Sequence, residues 1–201
     1  ASDETVTASS EPFGRIAYAL WNPRSLAMDT YIYAIGSGVV PLPLVNRRQP
    51  DFRADGWLAT NGEGGGQDNI SRTQSEGQNG VIISAHPEDS RPHWSASGKQ
   101  FVFDSTLMGD RRHRIYISND IDEKENEVAR ELKPIMYDFW EILGRHPIFL
   151  GDGQIAYQGC NVWENGVSCG IYRINVLGSE PQHITSWPND IPTDNLGTDA
   201  L

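Results

Sequence analysis

Two cysteines, five histidines and a few acidic runs are the residues of this chain best suited to chemistry. The cysteines stand in Gly159-Cys160-Asn161-Val162-Trp163-Glu164-Asn165-Gly166-Val167-Ser168-Cys169. If Trp163 to Gly166 form a four-residue turn, Cys160 faces Cys169 and Tyr157 faces Tyr172 across a hairpin. Both thiols then lie on one face, within reach of a disulfide. That bond implies an oxidising compartment; the other reading is two reduced thiols in a core. No C-x-x-C spacing is present, which argues against zinc and against dithiol redox catalysis.

His86, His93, His113, His146 and His183 form no H-E-x-x-H or similar pattern and read as structural or surface residues, with no metal site expected. Asp120 to Glu125 invites a calcium reading. It carries Lys124 at the fifth position and no glycine at the sixth, so it fails the EF-hand pattern and reads as a solvated loop. There is no G-x-S-x-G, and the glycine-rich run from Asn61 to Asn69 opens no helix and suits flexibility better than phosphate binding. Asn69-Ile70-Ser71 fits the N-glycosylation sequon. No nucleophile, base and orienting group are placed together. The chain is expected not to be an enzyme and to need no cofactor.

The elements that would position these residues are short strands. The 201 residues are enough for one good-sized domain or part of a larger one. Twenty glycines, 12 prolines and 38% hydrophobic residues suit many strands and turns more than long helices. The net charge of −11 works against a phosphate backbone or an anionic membrane surface as partner. No apolar run is long enough to span a bilayer. Residues 1–13 are rich in Ser, Thr, Asp and Glu and read as a linker or mature N-terminus rather than a signal peptide.

The clearest unit is Ser90 to Ser118. Arg91-Pro92-His93-Trp94 is a strand start with a proline, the turn Ser95 to Lys99 contains Gly98, Gln100 to Asp104 is a buried strand, and Arg114 to Ile117 is a third. Parts of it recur in the same order. Pro50, Pro92, Pro147 and Pro192 are spaced by 42, 55 and 45 residues. Four strands per period of that length are the mark of a β-propeller. The long interval holds an insert, Pro134 to Gly144, whose apolar content suggests a helical turn. Outer strands are expected at Val39–Val45, Gly80–Ser84, Glu127–Leu132 and Gln182–Thr185. The blades read as 14–46, 47–85, 86–133 and 145–186, with a further blade starting in 187–201.

Pro92-His93-Trp94-Ser95-Ala96-Ser97-Gly98-Lys99, followed by Gln100 to Asp104 and Arg114 to Ile117, resembles the TolB-type, WD40-like propeller repeat. That pattern is Pro-x-Trp-Ser-Pro-Asp-Gly-Lys, an apolar strand and an Ile-Tyr strand. Ala96 and Ser97 replace its Pro-Asp, Phe52 and Phe149 replace its Trp, and Ser71 stands for its Tyr. The resemblance implies an all-β propeller of four-stranded antiparallel blades, usually six or more. The four visible here leave two forms open: a fragment of a larger ring, or a small ring closed by Asp190–Asn195 on the first blade.

In that architecture the function lies in loops, because the repeat is scaffold. One loop face would gather Arg47, Arg48, His86, Arg91, Tyr137, Phe139, Trp140, Trp163, Trp187 and Asp190. Aromatics beside arginines and carboxylates suit a protein, peptide or glycan partner. The plain alternative is that Phe139, Trp140 and Trp187 only pack the insert and blade junctions. The expectation is a non-catalytic, extracytoplasmic binding module, periplasmic, cell-surface or secreted. Two further readings are the propeller portion of a larger hydrolase with catalysis outside this chain, and a structural subunit of a surface assembly that self-associates or pairs with further blades.

Overall fold

The computed structural model describes residues 14–37, 43–63, 69–74, 80–84, 86–119, 133–151, 153–161, 168–179 and 181–193. Among them all regular structure is strand. No helix of the described residues is long and apolar enough to cross a membrane. β1 (Arg15–Asn22) and β2 (Ala27–Ala34) form a two-stranded antiparallel sheet, the first blade. The second blade is β3 (Arg47–Phe52), β4 (Leu58–Gly62), β5 (Ile70–Thr73) and β6 (Val81–Ser84). The third is β7 (Ser90–Trp94), β8 (Gln100–Ser105), β9 (Arg114–Asn119) and β10 (Lys133–Pro134). A small hairpin, β11 (Met136–Tyr137) and β12 (Trp140–Glu141), precedes the fourth: β13 (Gly144–Phe149), β14 (Gln154–Asn161), β15 (Ser168–Asn175) and β16 (Gln182–His183). Each full blade is a meander in chain order.

The strand registers are equivalent. Phe52 pairs with Leu58, Trp94 with Phe101 and Phe149 with Ile155. The residue before each repeat proline, Gln49, Arg91 or His146, is left-handed, with φ of 53°, 57° and 52°. The ladder slips there in all three inner strands. Proline cannot donate to the ladder and bars the residue before it from right-handed helical angles. A bulge lets the strand carry the proline without breaking.

The middle strands β4 and β8 are buried at consecutive positions, on both faces, as expected when a blade lies between two others. On β8, Phe101 and Phe103 join Trp94, Tyr116, Ala59, Ile70 and Ile83 in one cluster. Val102 points the other way, into a cluster with Ile115, Ile135, Ile142, Phe149, Ile155, Tyr157, Tyr172 and Ile174. Trp94, Phe101, Phe103 and Tyr116 form an aromatic run with centroids 5.5–5.6 Å apart. Each such ring withdrawn from water is worth about 1.5–3 kcal/mol.

Two sequence expectations change, and two others fall partly or wholly outside the described residues. The insert is a hairpin and not a helical turn, because Ile135 and Ile142 must both be buried, at 3% and 0% exposure, and they pair backbone to backbone at 2.9 Å. Asp138 takes φ 54° in the two-residue turn, which a short polar side chain tolerates. Asp190–Thr193, the described part of the fifth-blade strand, forms no strand. Of Val39–Val45, residues 39–42 lie outside the described residues, and Leu44 pairs with Thr30 of β2. Glu127–Leu132 also lies outside them, and Lys133–Pro134 is the strand seen on β9.

Candidate functional site

The densest polar cluster among the described residues surrounds Asp104, at the end of β8. Its carboxylate is fully buried and shares the face of Val102. Arg91 clamps it with Nε at 2.7 Å and Nη2 at 3.0 Å. Ser90 Oγ donates to it at 3.2 Å, His113 Nδ1 lies 2.8 Å away, and the His146 N–H donates from the next blade at 3.1 Å. Ser90 faces the carboxylate rather than the imidazole, so the trio is not a nucleophile with its base. Burial, followed by the charge of Arg91, holds His146 below the ordinary imidazole range. The cluster ties blade three to blade four. Among the described residues no group of three His, Cys, Asp or Glu side chains is arranged to hold a metal ion.

The predicted loop-face residues are not gathered in one place. Arg47 and Arg48 begin β3. Arg47 Nη1 donates to Asn69 Oδ1 at 3.1 Å, and burial lowers the guanidinium pKa. Asn69, the sequon residue, is only 8% exposed. Arg48 Nη1 pairs with Glu63 Oε1 at 3.4 Å, while Glu63 Oε2 accepts the Met28 N–H, tying blade one to blade two. Arg47 also walls a cavity of about 280 Å³ with Leu44, Val45, Thr60, Ser71, Val81 and Ile82. The hydroxyl oxygens of Thr60 and Ser71 are sealed from solvent there. His86 lies in the turn before β7, its Nδ1 accepting the Glu88 N–H and lying 3.9 Å from Asp89. Arg91 is spent on Asp104.

The aromatic residues lie elsewhere. β12 is anchored by Glu141, which pairs with Arg114 Nε, and Arg114 is also held bidentately by Asp110 at 2.7 Å. The Asp110 and Glu141 carboxylates raise the Arg114 pKa, and the Arg114 hydrogen bonds hold the Asp110 carboxyl well below the usual carboxylate range. Tyr137 packs on the cluster that contains Ile135 and Ile142. The Met136 carbonyl seats against Gly178, where an added Cβ would meet it at 1.9 Å. Around that seat Phe139 is 87% exposed and Trp140 63%, with Leu177 also open.

Trp187, 74% exposed, belongs to a separate turn closed by Asp190 N–H to Trp187 O at 3.1 Å and held by Gln158 Nε2 donating to Pro188 O at 2.8 Å. Gln158 pairs with Ile171, whereas Gly178 follows Asn175, so hairpin and turn sit toward opposite ends of β15. Trp163 lies outside the described residues. Cys160 and Cys169 pair in register and form the disulfide, Cα–Cα 4.0 Å.

Sequence reasoning missed Asp104 and read His113 only as a structural or surface residue. The signal was present in Asp104 itself: a carboxylate in a strand read as buried requires cationic and N–H partners. Gln49 accepts the Arg91 N–H at 2.9 Å, a contact between blades that no spacing reveals.

No protein-family model and no characterised protein sequence matches the chain. Solved structures do. A chain described as TolB from Agrobacterium tumefaciens superposes with a TM-score of 0.61 at 13% identity, over 84% of this chain and 60% of that one. A chain of a nidogen/laminin complex gives 0.52 at 11% identity, over 84% and 60%. The β-propeller domain of the Trilobed protease from Pyrococcus furiosus gives 0.50 at 11%, over 85% and 53%. The chain thus spans little more than half the length of these structures. Likeness at such identity establishes architecture, and with the three equivalent four-stranded meanders it makes this chain an all-β propeller segment.

Proposed function

We propose that the chain is a segment of a TolB-like propeller acting as a non-catalytic, extracytoplasmic binding module for a protein, peptide or glycan. The observation that carries the reading is the β11–β12 hairpin. It holds Phe139 and Trp140 in solvent at 87% and 63% exposure, while Ile135, Ile142 and the Glu141–Arg114 pair fix its base. Large aromatics presented on a fixed base are the residues that dominate binding hot spots. The disulfide of the β14–β15 hairpin supports an oxidising location. The TolB and nidogen likenesses fit such a role without assigning a partner.

The test is selection of ligands from a displayed peptide library and a glycan array, followed by the double variant Phe139→Ala, Trp140→Ala. Loss of affinity by about tenfold or more with unchanged thermal unfolding supports the hairpin as contact surface. Selected ligands that bind the variant as well as the parent overturn it.

A further inference from the structure

We propose that the cavity between blades one and two is a binding site for a small aromatic carboxylate. It measures about 280 Å³, with Thr60 and Ser71 as its floor, Arg47 beside them and Leu44, Val45 and Ile82 among its apolar walls. The floor residues are buried, at 0% and 3% exposure, whereas Val45 and Ile82 are 56% and 57% exposed and form the mouth.

The cavity exists because blade two lacks a pair of rings that the next two blades carry. Inner-strand pairing aligns Leu58 with Phe101 and Ile155. Two residues further on come Thr60, Phe103 and Tyr157, and these pair on the neighbouring strand with Ser71, Tyr116 and Tyr172. In blades three and four the result is a stacked pair, with centroids 5.5 and 5.8 Å apart. Those rings fill the junction with the preceding blade: Phe103 and Tyr116 share a cluster with Ile70 of blade two, and Tyr157 and Tyr172 with Val102 of blade three. Blade two sets only two short hydroxyl side chains toward blade one. Protein interiors are close-packed, so a junction without its rings leaves a space shaped for a ring.

Arg47 supplies the charge. Its Nη1 donates to the neutral Asn69 Oδ1, and among the described residues no carboxylate pairs with it. The nearby Glu63 is taken by Arg48 and by the Met28 N–H. A half-buried guanidinium without a counter-charge favours an anion, and its planar fork matches a carboxylate. The Thr60 and Ser71 hydroxyl oxygens are also buried without a hydrogen-bond partner in the protein, and a hydroxyl can donate to an acceptor oxygen. Flat apolar space beside an unneutralised cation selects an aromatic acid over an aromatic amine or a sugar.

The test uses the full chain with benzoate and naphthoate as probes and naphthamide as the uncharged control, read by calorimetry and thermal unfolding. The expected result is saturable naphthoate binding, with the amide weaker by about tenfold or more. Arg47→Gln should bring the acid down to the level of the amide. The double variant Thr60→Phe, Ser71→Tyr restores the ring pair of the other blades and should abolish binding, with thermal unfolding unchanged or raised. If that variant does not fold, Ser71→Leu fills part of the same space and carries the same expectation. No saturable binding of either acid up to about 1 mM, equal affinity for acid and amide, or undiminished binding by a folded cavity-filling variant would each overturn the proposal. The site is remote from Phe139 and Trp140, so its outcome is independent of the hairpin.

Discussion

Asp104 on β8 accepts the backbone N–H of His146 on β13 at 3.1 Å, so a carboxylate of one blade secures the left-handed residue of the next. The same carboxylate neutralises Arg91, the left-handed residue of its own blade. Removing it strands a largely buried guanidinium and an inter-blade N–H together. Asp104→Ala is expected to cost about 3–5 kcal/mol in denaturant unfolding. Asp104→Asn keeps an acceptor and should cost less; equal losses for the two would show that charge alone matters.

Asp89 gives a pH dependence of opposite sense to most carboxylates. It is fully buried in the turn before β7, and burial pushes its pKa up to about 6. Neither oxygen reaches a partner in good hydrogen-bond geometry, and the Ser105 hydroxyl and His86 offset the burial only in part. With the folded pKa above the unfolded value, the native state binds more protons between about pH 4 and 6, so this group's contribution falls as pH rises through that window. Asp89→Asn should remove that decline, leaving stability less sensitive to pH between about 4 and 6. Urea unfolding of both proteins at pH 4 and pH 7 measures it, and an unchanged pH slope would refute it.

Arg53 bridges blades two and three on the face opposite the Asp104 cluster. Its guanidinium carbon lies 5.7 Å from the Trp57 ring centroid and 5.2 Å from that of Trp94, and its stem packs beneath Gly98. Arg53→Met keeps the stem and deletes the charge, and is expected to cost about 0.5–2 kcal/mol of thermal stability. Gly98→Ala should cost at least as much, since φ is 68° and the added Cβ would meet the Arg53 side chain at 2.7 Å.

The disulfide closes a short hairpin between directly paired residues. Cys160→Ser with Cys169→Ser should lower stability by about 2–3 kcal/mol, and reductant should lower the parent to the same level. Non-reducing mass spectrometry that finds free thiols in protein prepared without reductant would contradict the bond.

Much of the fold could be read from residue order, because strand period, turn glycines and repeat prolines are local. Trp94, Phe101, Phe103 and Ile115 are core as their pattern requires, and the Cys160–Cys169 and Tyr157–Tyr172 pairs follow from counting across one turn. The candidate site was less legible. Tyr137, Phe139, Trp140 and Trp187 stand in the right loops, but blade twist and packing send the hairpin against Gly178 and Trp187 to the turn held by Gln158. Arg91 looked available for a ligand and is consumed by Asp104.

By itself the sequence determined the repeat, the all-β class and the disulfide register. Each of these depends on residues a few positions apart, where backbone geometry leaves little choice. Only the tertiary structure decided that the insert is a hairpin, that Asp104 joins two blades, and that a cavity lies over Thr60 and Ser71. Those outcomes depend on which surfaces meet across tens of residues, and burial, not spacing, selects among them.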